Sequence, residues 1–338
     1  MSSKTITLLM VPLAMLLFMI DVAYGSVDIG LANVWKVLVG SGDELHTTLV
    51  MNFRLPKAIV AVIAGASLSC CGLEMQTLFR NPLAGPYVLG VSSGASLGVA
   101  LFLLGAPLVG LGFNVEWIRS IGFAGAAWIG SAAILLVITA LASRLKDIMT
   151  ILIMGMMIGS GISAGVEILQ FMSPDSAVKS FVVWTMGNLG SVSYSQIAIM
   201  AAATSVGLII SFMMIKPLNL LLMGESYART MGLNVKRTRI LIFTSTVLLA
   251  GTVTAFCGPI GFVGIVAPHI TRMIFKDSDH RKLMPATVLC GIIMVLVCDI
   301  ISQLPGSQTT LPINTVTSLL GIPMVLVIVM RGRTISRM

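Results

Sequence analysis

The chain has 338 residues, of which 57% are hydrophobic and 10% charged, with a mean hydropathy of +1.01. A soluble domain carries about 25% charged residues, so this chain cannot clothe a water-facing surface, and at about 20 residues per crossing it is long enough for roughly ten membrane helices. The formal net charge of +8 does not point to nucleic acid, because the basic residues sit in short loops between apolar runs, as the positive-inside rule describes.

In chain order, ten apolar segments fall near 5–22, 57–79, 87–105, 120–142, 149–171, 195–215, 238–257, 259–275, 284–303 and 312–330. The first follows Lys4 and has no clean small-x-small cleavage site after it, so it is read as an uncleaved span. Residues 30–40, carrying Trp35, suit a short interfacial helix, and Trp117 and Trp184 fall near the same boundary, where indoles settle. The eighth segment is the weakest, because Gly258, Pro259, Gly261, Gly264 and Pro268 interrupt it. Gly90-x3-Gly94-x3-Gly98, Gly155-x3-Gly159 and Gly161-x3-Gly165 mark faces where helix backbones approach closely, or else faces that line a pathway. The stretch from Lys216 to Arg239 predicts two short helices broken near Gly232, serving either as a lipid-surface element or as a docking surface for a soluble partner.

Ten crossings put both termini on one side. Of the 21 Lys and Arg, all but Lys36, Arg54, Lys57, Arg119 and Lys179 then share that side, which is therefore assigned to the cytoplasm.

The motifs of an enzyme are missing. No G-x-x-x-x-G-K-[ST] occurs, so ATP phosphates have no P-loop here, and no H-E-x-x-H occurs. His46, His269 and His280 are scattered, giving no metal-ligand cluster. The five cysteines lie in or beside apolar runs and are read as reduced packing residues. Two Gly/Pro-rich breaks, RNPLAGPYVLGVSSG at 80–94 and CGPIGFVGIVAPH at 257–269, stand one in each half. Paired breaks of this kind point to a transport site, although ordinary kinks give the same pattern. Glu74, Glu167 and Asp299 are acids in apolar surroundings. They are either satisfied near span ends or, if they share one cavity, a proton relay; the latter would make the chain a proton- or ion-coupled secondary transporter.

Five stretches carry a resemblance. RLPK at 54–57, GASLSCCGLEMQTLFRNPLAGPYVLGVSSGA at 65–95, GESYARTMGLNV at 224–235, GPIGFVGIVAPHITR at 258–272 and LPINTVTSLLGIPM at 311–324 occur in order across the chain. Together they resemble the FecCD-type permeases of ABC importers for iron-siderophores, haem and cobalamin, and the motif positions of the resemblance are Gln76, Asn81, Pro82, Gly258, Pro259, Pro268, His269 and, beyond these stretches, Asp299.

The resemblance implies an all-α, polytopic type II ABC importer permease: one transmembrane domain over 1–338, with a cytoplasmic coupling segment at 217–236. It implies a second permease copy, two ATP-binding cassette ATPase subunits that hold ATP and Mg, and a periplasmic or lipid-anchored substrate-binding protein. It implies a bacterial inner membrane, and no cofactor, metal or nucleic acid bound by this chain. Arg54 and Lys57 match the basic pair that meets the binding protein, whereas Gln303 stands, after Asp299, where some relatives carry a third basic residue. Gly224, Glu225, Ala228, Arg229 and Gly232 match the segment that fits the ATPase. Gly155, Met156, Gly159, Ser160 and Ser163 are the pathway candidates, and Ile148 and Met149 fall at a cytoplasmic constriction.

Overall fold

A computed structural model describes residues 3–25, 29–105, 116–145, 147–303 and 310–335; the side chains of Trp117 and Arg119 lie outside the described residues. No strand occurs among these residues. The helices are α1 (Ser3–Ala23), α2 (Leu31–Leu38), α3 (Glu44–Leu78), α4 (Val91–Gly105), α5 (Glu116–Arg144), α6 (Ile148–Phe171) and α7 (Asp175–Thr185). They continue with α8 (Tyr194–Met213), α9 (Ile215–Leu222), α10 (Glu225–Thr230), α11 (Val235–Cys257), α12 (Val263–Phe275), α13 (His280–Ser302) and α14 (Ile313–Ile335).

All ten expected apolar segments are helices. Seven are long enough to cross a bilayer, and α4, α12 and the apolar part of α14 are shorter. The short ones are those next to Gly/Pro breaks: Gly90 turns left-handed before α4, and Gly258 and Phe262 both take positive φ before α12. Elsewhere polar side chains set the starts. Asp147 accepts hydrogen bonds from the Met149 and Thr150 amides at the head of α6, and Asn234 accepts from the Arg237 amide in the first turn of α11.

Two features differ from expectation. The second span does not begin near residue 57: α3 runs unbroken from Glu44, through a π turn at Val50–Arg54, so Arg54 and Lys57 stand on a helix rather than in a loop. Helix α7 was not foreseen; it is too short to cross and carries Trp184.

Contacts divide the chain into two compact units. The first comprises Met1–Leu73, Asn188–Ala201 and Ile260–Met338. Within it α13 packs on α1, α12 and α14. Its helices approach at glycines: a Cβ on Gly72 would lie 1.8 Å from the Gly264 carbonyl oxygen, and one on Gly65 2.5 Å from that of Gly291. Val22, Val34, Val37, Val50 and Ala58 form an apolar cluster where α1, α2 and α3 meet.

The second unit comprises Glu74–Gly187 and Ala202–Pro259. Here α4 lies against α5 and α6. Gly94 faces the Gly130 carbonyl and Gly98 the Ala126 carbonyl at distances no side chain could fit. Gly161 and Gly165, expected to mark another close-packed face, have no atom within 4 Å of where a Cβ would stand. Among the described residues, that side of α6 is open at these two positions.

Candidate functional site

The five pathway candidates on α6 share one surface. Gly155, Met156, Gly159, Ser160 and Ser163 line a groove of about 640 Å³ together with Tyr87, Gly90, Ser93, Ala164 and Glu167. Its existence follows from small residues at spacings of three and four, which put them on one helix face, and from Gly90 opposite Gly159, whose approach keeps the wall low. The hydroxyls of Ser160 and Ser163 donate back to the Met156 and Gly159 carbonyls, so the wall is polar without leaving donors unmet. Tyr87, Ser93 and Ala164 were not foreseen; Tyr87 and Gly90 come from the break at 80–94, the one signal in the sequence that pointed there. The break at 257–269 contributes no residue to the lining. Within the first unit the Gly261 amide of that break donates to Asn314 at 2.9 Å, joining two of the stretches that carry the resemblance.

At the head of α6, Ile148 is half-buried and Met149 exposed. The adjacent Asp147 carboxylate is held below the usual carboxylate range, first by the Thr150 hydroxyl and then by the Thr150 amide.

Arg54 and Lys57 both have partners inside the chain. Arg54 donates to the Val22 and Ala23 carbonyls, at 3.3 and 2.6 Å, capping the C-terminal end of α1. Gly25 leaves the room this takes, since a Cβ there would lie 2.7 Å from the guanidinium. Lys57 pairs with Asp299 at 2.9 Å, with its side chain 20% exposed and that of Asp299 1% exposed. Gln303 donates to Asp21 at 2.9 Å and reaches Asp299 at 3.5 Å. The residue standing where some relatives carry a third cation is therefore a neutral bridge between two enclosed acids. Asp21 was missed; an acid at the end of an apolar run was its only mark.

Glu74 is enclosed and accepts from Ser245 at 2.6 Å, Glu167 is exposed on the groove, and Asp299 holds Lys57. Glu74 and Asp299 thus each have a partner within their own unit. All five cysteines are buried, and none forms a disulfide.

The coupling candidates fall on and beside one short helix. Gly224, at φ +102, starts α10; Glu225, Ala228 and Arg229 lie on it, with Ala228 buried; Gly232, at φ +83, ends the turn after it. Glu225 pairs with Arg239 of α11 and stands 3.8 Å from Arg229. Of the motif positions, Gln76 and Pro268 are buried, Asn81 accepts from the Leu83 amide in the turn that holds Pro82, and His269 Nδ1 is buried without a hydrogen-bond partner. Gly258 lies in the second unit with the Trp184 carbonyl 2.4 Å from its missing Cβ, and Pro259 follows it.

A family model for the FecCD transport family matches residues 13–331. The chain belongs to that family. This permease is 32% identical over 330 residues to the hemin transport system permease HmuU of Yersinia pestis, covering 94% of this chain and 95% of that one. It is 35% identical over 284 residues to the vitamin B12 import system permease BtuC of Citrobacter koseri, covering 84% and 83% respectively. Its fold matches a metal-chelate type ABC transporter solved in an inward-facing conformation, with a TM-score of 0.82 and 24% identity over 98% of this chain and 100% of that one. The permease is thus a multi-pass membrane transport subunit of an ABC transporter. Such subunits work with ATPase and substrate-binding partners.

Proposed function

We propose that this permease carries a bulky metal chelate or corrinoid (an iron-siderophore, haem or cobalamin) across a bacterial inner membrane by alternating access. A homodimer is bound to two ATPase subunits, which hold ATP and Mg, and receives its cargo from an outer binding protein. Both termini and residues 217–236 lie in the cytoplasm. The observation that carries the reading is the groove along α6, where the five candidates from a family-wide resemblance line one cleft wide enough for part of such a cargo. With small and polar side chains and few charges, its wall would let an amphiphilic ligand slide rather than bind tightly, leaving affinity to the binding protein.

Arg54 and Lys57 belong, in this reading, to the docking surface. Lys57 is already paired with Asp299 and Arg54 already donates to two backbone carbonyls, so a partner's carboxylates would share them with these groups, and docking would depend modestly on salt. Ile148 and Met149 form the cytoplasmic constriction, and Gly224–Gly232 meets the ATPase.

Reconstitution tests this. Proteoliposomes holding the permease and its ATPase should accumulate haemin or cyanocobalamin only with ATP and binding protein, while the permease alone should hydrolyse no ATP. Uptake that persists without the ATPase and collapses with the proton gradient would replace the proposal with secondary transport.

A further inference from the structure

Arg239 is an arginine with only 5% of its side chain exposed, near the start of an apolar helix. Such a position is costly for a permanent cation, and neither the groove nor the docking surface uses it. Its neighbours come from three elements of the second unit. One terminal nitrogen pairs with Glu225, in the first turn of α10. The other donates to the Leu145 carbonyl, at 3.5 Å, just past the end of α5. Its charge also acts on Asp147, the residue that caps α6. Guanidinium is planar, always charged and able to fork between two acceptors, which lysine cannot do.

We infer that Arg239 is a positioning residue that joins the coupling helix α10 to the α5–α6 connection at the head of the groove-lining helix, so that a push on α10 moves α6. This rests on the reading that α10 meets the ATPase. It adds the link that reading leaves open: α10 and the groove share no residue, and Arg239 bridges Glu225 to the Leu145 carbonyl, two residues before Asp147 at the head of α6. Arg229, by contrast, is more than half exposed and 3.8 Å from Glu225, so it is placed to face a partner rather than to tie helices together.

The test uses the whole permease with its ATPase, carrying a bimane label at Ile153→Cys, an exposed position on α6; the native cysteines are buried. In this background, ATP should shift the bimane emission. Arg239→Gln should retain the ATPase in pull-down to within about twofold while the ATP-induced shift falls at least fivefold, and Arg239→Lys should recover part of it. Glu225→Gln, cutting the link from its other end, should also reduce the shift. A full shift in Arg239→Gln overturns the inference, as does loss of the bound ATPase in that variant, which would make Arg239 a docking residue. Failure of the underlying reading looks different: the wild-type chain would retain no ATPase at all.

Discussion

Lys57 illustrates how a largely enclosed cation is made tolerable. It stands beside a carboxylate that is almost wholly enclosed, and that carboxylate is reached in turn by Gln303, which also holds Asp21. Removing one member of a buried pair leaves an uncompensated charge, a change that costs 3–5 kcal/mol where burial is complete. Lys57 keeps some contact with solvent, so Asp299→Ala should cost on the order of 2 kcal/mol. Thermal unfolding of the detergent-solubilised protein measures it, and an unchanged midpoint would mean that the pair is energetically neutral. Replacing both members with apolar residues should restore most of the loss. Gln303 fits beside these acids because its amide donates to Asp21 and reaches Asp299.

Among whole elements, glycine decides which helices touch. Helix α3 meets α12 and α13 through Gly72 and Gly65, and α4 meets α5 through Gly94 and Gly98. In lipid no hydrophobic force drives helices together, so close approach and dispersion carry the association. Gly72→Ala would put a methyl group into a backbone carbonyl. It should cost about 2 kcal/mol or more and lower the yield of folded protein, as read by size-exclusion chromatography in detergent. Gly161→Ala should stabilise the chain by about 0.5 kcal/mol through helix propensity alone, because nothing in the chain opposes it. A large loss at Gly161 would instead mean that this bare side of α6 meets a second copy. The π turn within α3 is also an element-scale fact: it keeps the helix continuous while bringing Arg54 to the end of α1.

Charge asymmetry sets the orientation of the whole molecule. The side predicted to be cytoplasmic bears most of the Lys and Arg, including those of α10 and the head of α11. Met231, exposed just after α10, should therefore be labelled in a Met231→Cys variant only after the inner face is opened to an impermeant maleimide. Labelling in intact cells would reverse the topology and remove α10 from contact with any cytosolic ATPase.

Much of this was legible without coordinates. Ten helices could be counted because crossing hydrocarbon demands long apolar runs that soluble proteins do not display, and the five motif stretches placed the family. The resemblance named Gly155, Met156, Gly159, Ser160 and Ser163, and their spacing of three and four puts them on one side of α6, where they line one groove. What the one-dimensional string could not supply was partnership across distance. That Asp21 meets Gln303, that Lys57 is already paired, and that Arg239 joins α10 to the end of α5 depend on residues as much as 282 positions apart. The glycines of α6 make the same point. Gly159 and Gly161 read alike in sequence, yet one faces Gly90 and the other faces nothing within the chain. Periodicity fixes which residues share a face, but only packing decides what that face meets.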